Sequence, residues 1–596
     1  MFRNGDTMRE LLRFLKDYRK ESILAPLFKL LEASFELFVP LVMARIIDVG
    51  IADRDYGTIA GMGAVLVLLA VIGLTASLTA QYFAAKAAVN FSARMKQELF
   101  RHIQKLSFGD MDQVGTSTLI TRMTSDANQV QSGVNLVLRL FMRSPFIVVG
   151  AMIMAFTIDV KAALVFVVAI PLLCVVVFGV MLASIPQYKK VQAALDQILG
   201  RTRENLTGAR VLRAFNKQKE EIEQFTEENE TLNHVQMVVG RIAALMNPVT
   251  YIIINGAVIA LIWIGAIHVD NGILTQGEVV ALVNYMSQIL VELVKLANLI
   301  VTVNKAVACG NRIQEIFDRE PGLKESADAK EVEAKQAKTG LAAGAEGLSA
   351  ERAVVFDHVD LVYPGASDNS LADINFSVNR GETIGIIGGT GSGKTSLVHL
   401  IPRFYDITSG HLRIDGIEAK DYSLKDLRAK VGIVMQKSVL FQGTIRSNLL
   451  WGRPEATEEE LWQALRVAQA EEVVKKKKAG LDEPVEQEGR NFSGGQRQRL
   501  AIARALVRHP EILILDDSAS ALDYATDAAL RKAIREELTD MTLFIVSQRA
   551  ASVRNADRIV VLDDGEVAGL GSHEELIRTC GVYREIYESQ YGKGAH

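Results

Sequence analysis

The sequence predicts an α-helical membrane domain of six long spans followed by an α/β domain built around a phosphate-binding loop. Three observations predict it. The apolar residues, 49% of the 596, are concentrated in the first half, and mean hydropathy is +0.17, high for a soluble chain. That half divides into apolar runs near the ~20 residues a bilayer requires. The second half carries Gly388-Gly389-Thr390-Gly391-Ser392-Gly393-Lys394-Thr395-Ser396, which fits G-x-x-x-x-G-K-[ST] between an apolar strand-like run and a helical one.

A chain this long exceeds what one hydrophobic core supports, so separate domains are expected. They fall at 1–320 (membrane), 321–350 (flexible linker) and 351–596 (α/β). A net charge of −4 excludes a nucleic-acid binder relying on a broad basic face. Cys174, Cys309 and Cys580 form no C-x-x-C pair, so the expectation is three buried thiols and neither a disulfide framework nor a zinc site. No cleavable leader pattern is read at the start. Met8, Leu11, Leu12, Leu15 and Tyr18 instead form an apolar stripe among Arg9, Arg13, Lys16, Arg19 and Lys20. That is the pattern of a short helix, 8–20, lying in the cytoplasmic headgroup layer.

The six spans are expected at 23–47, 59–81, 140–158, 162–186, 242–269 and 279–303. The outer loops, 50–57, 159–161 and 270–277, are short and offer only Arg54 and Lys161 as basic residues. The inner connections are long and basic: Lys189, Lys190, Arg201, Arg203, Arg210, Arg213, Lys217, Lys219 and Arg241 fall between the fourth and fifth spans alone. This asymmetry places both termini in the cytoplasm. Residues 82–138 and 187–240 are polar but keep helical periodicity, broken at Ser107-Phe108-Gly109-Asp110 and at Leu206-Thr207-Gly208-Ala209. Each break reads as a tip where a long helix from the membrane turns back. Two spans carry ionisable or polar stripes, Lys29, Glu32 and Glu36 on the first and Asn284, Gln288, Glu292 and Lys295 on the last. They read either as the wall of a wet pathway or as helix–helix ion pairing.

In the second half, glycines allow backbone N–H groups to close around phosphate oxygens, and the following helix adds its positive end. Lys394 is placed to face the terminal phosphates and the Thr395 hydroxyl to bind Mg²⁺. Glu511-Ile512-Leu513-Ile514-Leu515-Asp516-Asp517 reads as a buried strand ending in carboxylates, with Asp516 placed to hold Mg²⁺ through water. Gln436 follows another apolar strand as an uncharged metal or water ligand. Ser493-Gly494-Gly495-Gln496-Arg497-Gln498-Arg499 opens a helix whose first turn suits a phosphate. Tyr363 is placed to stack on an adenine ring.

The S-G-G-Q-R-Q-R run, with the phosphate loop and the carboxylate-ended strand, resembles the ATPase domain of ABC transporters. With six spans ahead of it in one chain, the whole resembles an ABC exporter half-transporter of the heterodimeric bacterial multidrug type. The resemblance implies an ABC-type P-loop ATPase coupled to transmembrane transport, using ATP and Mg²⁺. It further implies a multi-pass protein of the bacterial cell membrane with the ATPase domain in the cytoplasm. The partner implied is a second half-transporter, and the cargo hydrophobic or amphipathic compounds such as drugs, lipids or peptides. In that family two ATPase domains meet head to tail, so Ser493, Gly494, Gly495 and Gln496 would serve the partner's nucleotide. The tips near 107–115 and 208–216 would be coupling helices, the second reaching the partner's ATPase domain.

Four departures stand out. Asp517 occupies the place of the family's catalytic Glu, and Gln548, in Ser547-Gln548-Arg549, that of its switch His. Asp is one methylene shorter than Glu, and a ~1 Å misplacement of a general base costs on the order of 10²-fold in rate. Gln548 can donate a hydrogen bond to a γ-phosphate but carries no charge. Phe492 replaces the usual Leu before the signature, and Val485-Glu486-Gln487-Glu488-Gly489 replaces V-G-E-R-G. Both of the first two strike water-activating groups and neither strikes the phosphate-holding ones. The expectation is therefore a heterodimer in which this chain has the degenerate site and lends an intact signature. A homodimer, an importer on the same fold and an ATP-binding sensor are the alternatives; six apolar runs exclude a soluble ATPase acting on ribosomes or DNA.

Overall fold

The structure, a computed structural model, describes residues 10–323, 352–518, 520–538 and 540–592. Residues 324–350 of the expected 321–350 linker and the Met8–Arg9 end of the amphipathic stripe lie outside them. The chain forms two compact units, Met1–Gln104 with Ser117–Arg319, and Lys105–Thr116 with Glu320–His596. The first tip thus groups with the second unit, although its sequence lies inside the stretch 1–320.

In the first unit, side-chain caps fix where the long helices begin. Asp55 accepts from the N–H groups of Gly57 and Thr58 at 2.9 and 3.2 Å and opens helix Tyr56–Ile103. Asp159 accepts from Ala162 N–H at 2.6 Å and opens Val160–Thr207. Thr275 and Glu278 form a capping box for Gln276–Phe317. The caps sit in the loops expected outside and keep them short. The first two helices have 48 residues each, about 70 Å at 1.5 Å per residue. That is more than twice the ~30 Å hydrocarbon core, so both run far beyond the spans at 59–81 and 162–186. Short separate helices, Phe108–Val114 and Ala209–Ala214, form where the two tips were expected.

Among the described residues, five helical stretches are long and apolar enough to cross a membrane: Tyr56–Ile103, Thr116–Ile158, Val160–Thr207, Gln218–Asp270 and Gln276–Phe317. The first expected span differs. It is helical, Arg19–Arg45, but Lys29, Glu32 and Glu36 fall in every 18-residue stretch of it, so it falls short of this measure, which five of the six expected crossings meet. Along Tyr56–Ile103, Ala76, Ala80, Ala84 and Ala88 are buried at i, i+4 spacing while Leu74 and Leu78 are exposed. Small residues toward protein and large apolar ones outward are what close helix packing in lipid requires.

The amphipathic start is Leu12–Tyr18, wound as a 3₁₀-helix. Leu11 and Phe14 are buried there, with the Phe14 ring 6.0 Å from that of Phe317, so this side packs on protein and Leu12 stays exposed. The cysteines are free thiols, Cys309 and Cys580 buried and Cys174 only half-buried.

The second unit is built on a six-stranded sheet in the order Glu566–Gly571, Arg558–Asp563, Thr383–Gly388, Thr542–Val546, Ile512–Asp516, Val431–Val434. All neighbours run parallel except the antiparallel Glu566–Gly571 edge. Ile512–Asp516 and Thr542–Val546 are buried at every residue, as their unbroken apolar runs predict. A four-stranded antiparallel sheet, including Arg352–Leu361 and Leu371–Asn379, and a two-stranded one, Gly443–Thr444 with Pro484–Val485, belong to the same unit.

Candidate active site

The parallel register brings three carboxyl strand ends together. Val546 lies opposite both Ile386 and Asp516, so the chain leaves the sheet at the phosphate loop, at Asp516 and at Ser547 side by side. That edge is where open α/β sheets bind ligands. Gly388 and Gly393 are needed for different reasons. A Cβ on Gly388 would lie 2.2 Å from Leu562 O, and Gly393 turns at φ +90° with Ser370 O 2.9 Å from any Cβ. The helix Lys394–Leu400 starts directly behind it.

Tyr363, Thr390 to Ser396, Gln436, Asp516, Asp517 and Gln548 all line one cavity of about 580 Å³. Gly388 and Gly389 meet it through Lys394, whose ammonium donates to both of their carbonyls. Burial pulls the Lys394 pKa down, opposed by the charges of Asp517 and Asp516. Thr395 Oγ1 donates to Asp516 Oδ1 at 3.1 Å. Asp516 Oδ2 is buried with no hydrogen-bond partner, and burial pushes the Asp516 pKa up to about 6. An orphaned, costly carboxylate oxygen beside a threonine hydroxyl fits a divalent cation. No cluster of three His, Cys, Asp or Glu stands ready for one among the described residues, so phosphate oxygens would complete the shell.

Asp517 is held in a left-handed conformation, φ +46°, by its N–H donating to Val546 O at 3.0 Å. Gln436 Nε2 donates to its Oδ2 at 3.3 Å. Gln548 is exposed, and its backbone carbonyl accepts from Gln590 Nε2 at 2.8 Å. Ser493, Gly494, Gly495 and Gln496 do not line this cavity. Ser493 is exposed and, with Gln496, forms the capping box of helix Gly494–Leu506. Phe492 is buried in the core, so its replacement of Leu is a change of packing.

Tyr405, Asp112, Phe404 and His399, around the site, escaped sequence reading. The Tyr363 hydroxyl donates to Ser396 Oγ at 2.9 Å, and its ring meets Tyr405 edge-on at 4.9 Å. Tyr405 donates to Asp112 Oδ2 of the first tip at 2.7 Å, while Phe108 packs 4.5 Å from Phe404. His399 Nε2 lies 3.7 Å from Asp516 Oδ2, and burial pushes its pKa down to about 4. The only signal for these was the aromatic pair Phe404-Tyr405 shortly after the phosphate loop.

Family models match the chain twice, the ABC transporter transmembrane region at residues 22–293 and the ABC transporter at 371–520. An uncharacterised ABC transporter ATP-binding protein of Mycobacterium tuberculosis is 34% identical over 583 residues, 97% of each chain. The chain belongs to the ABC transporters. It is a half-transporter, with membrane and ATP-binding regions fused, and an ATPase whose hydrolysis is coupled to transport. The half-transporter is also 32% identical, over 83% of each chain, to an ATP-dependent lipid A-core flippase of Desulfotalea psychrophila. A solved bacterial Atm1-family ABC exporter with ATP bound shares its fold at a TM-score of 0.77, covering 97% of this chain and 99% of that one at 22% identity.

Proposed function

We propose that this half-transporter is one subunit of a heterodimeric exporter of amphipathic compounds in a bacterial cell membrane, with six spans and a cytoplasmic ATPase domain. Its own site holds Mg²⁺–ATP through Lys394, Thr395, Gln436 and Asp516 but hydrolyses it slowly, while its signature completes the competent site of a partner. The carrying observation is that Asp517 and Gln548, the two residues departing from the family's water-activating pair, line the same cavity as the phosphate-holding residues. The signature residues lie outside it. The chemistry follows from chain length and charge. The Asp517 carboxylate is one methylene short of where a general base acts, and Gln548 supplies a hydrogen bond without positive charge. The kinship with a lipid A-core flippase supports an amphipathic cargo, and the two short tip helices at the ends of long helices support a transporter that turns over mechanically. ATPase measurement on the purified chain alone tests the reading. Slow hydrolysis with intact Mg²⁺–ATP binding is expected; rapid turnover by a pure homodimer, abolished by Asp517→Ala, overturns it.

A further inference from the structure

We propose that the membrane unit carries a binding site for a zwitterionic amphiphile headgroup, an ammonium and an anionic group on one molecule. The site is a cavity of about 490 Å³ between helices Arg19–Arg45 and Gln276–Phe317. It deepens the transporter reading by naming the cargo class, and rests on that reading only for the cargo's being moved.

A neutral charge network underlies the cavity. Arg143 donates to Glu292 Oε1 at 2.5 Å and to Glu36 Oε2 at 2.7 Å, with its Nε 3.9 Å from Glu32 Oε1. Lys295 donates to Glu292 Oε1 at 2.8 Å, and Ser144 occupies the other Glu292 oxygen at 2.7 Å. Lys29 pairs with Glu32 at 2.5 Å. Three carboxylates and three cations cancel, which removes much of the cost of holding them in a membrane unit.

The members differ in what they can still offer. Arg143 and Glu292 form the middle, their side chains 8% and 4% exposed. Glu36 and Lys295, at 39% and 42%, are the ends, and both line the cavity. The cavity thus presents one carboxylate and one ammonium, each with its other face open. Gln288 Oε1, on the same wall, is buried and has no hydrogen-bond partner, so it calls for a donor such as an ammonium N–H. Val39, Met43 and Val291 line the cavity as apolar surface suited to the base of an acyl chain. A ligand bearing one net charge would unbalance the network; a zwitterion meets Glu36 and Gln288 with its ammonium and Lys295 with its anion, leaving the sum at zero.

The test is headgroup-ranked binding to the full chain in a maltoside detergent, without ATP or partner. Three fluorescent single-chain probes share one tail and differ in head: phosphoethanolamine, alkylammonium and alkyl phosphate. The phosphoethanolamine probe is expected to bind roughly ten-fold tighter than either other. Glu36→Gln should shift preference to the alkyl phosphate, and Lys295→Gln to the alkylammonium. Equal binding of all three probes by the wild-type chain overturns the proposal. So do variants that change thermal stability while leaving the ranking alone, the mark of an ion pair that only holds helices together. ATP binding in the same samples reports folding, and if a variant fails to fold the wild-type ranking still decides. Probe transport by the co-expressed pair is a separate assay, so failure of the exporter reading and failure of this site are told apart.

Discussion

Lys394, Thr395 and Asp516 make the residue-scale case for nucleotide binding, and each predicts a measurement. Removing the Lys394 ammonium by Lys394→Ala should weaken ATP binding about ten- to a hundred-fold, since charge-assisted contacts contribute about 1.5–3 kcal/mol. Tyr363→Ala should do so less, about ten-fold at most, through lost stacking. Labelled-ATP binding to the purified variants checks both. Asp516 adds a pH dependence. Burial raises its pKa from 3.8 to about 6, so the ionised form costs folding stability above pH 6, and that cost is relieved as pH falls through 6. A cation needs the ionised form and competes with the proton. The Mg²⁺ concentration required for nucleotide binding should therefore rise as pH falls through about 6, and Asp516→Asn should remove that dependence. The phosphate-loop, Asp517 and Gln548 positions were legible because each is fixed by neighbours in its own motif. Asp112 and Arg143 were not. Their partners, Tyr405 and Glu292, lie 293 and 149 residues away, and no local pattern encodes such contacts.

Among the elements, the short helix Phe108–Val114 is the most informative. Its capping box, Ser107 with Asp110, makes it a rigid unit of two turns. From it, contacts run through Tyr405 and Tyr363 to Ser396 in the phosphate-loop helix. Tyr405→Phe keeps the ring but removes the bond to Asp112. ATP binding should persist, while the ratio of substrate-stimulated to basal ATPase should fall several-fold, about 1 kcal/mol of lost coupling. A second link joins the segment after Gln436 to the signature helix: Ser438, two residues past Gln436, donates to buried Gln498 at 2.5 Å. The long membrane helices and both tips were legible because periodicity survives where hydropathy does not. The antiparallel sheet was not, since register shifts interrupt the alternation of Arg352–Leu361 against Leu371–Asn379. The first span falls short on hydropathy alone because of Lys29, Glu32 and Glu36. Its charges are neutralised by Arg143 and by one another, which composition alone does not reveal.

For the whole molecule, the claim at stake is a division of labour between two unlike sites. Expressed alone, the chain should bind ATP and Mg²⁺ yet turn over slowly. Restoring Asp517→Glu with Gln548→His should raise hydrolysis only in part, because the partner's signature would still limit this site. The most direct measurement is ATPase activity of the co-expressed pair carrying either Ser493→Ala or Asp517→Ala. Ser493 is exposed at the start of its helix, outside its own chain's cavity, and would donate to the γ-phosphate in the partner's competent site. Its removal should cost roughly 10²–10³ in turnover, the usual loss for one such donor. Asp517→Ala, acting at the site that mainly holds nucleotide, should leave turnover within a few-fold of wild type. Equal losses from the two variants would mean two equivalent sites and would contradict the account.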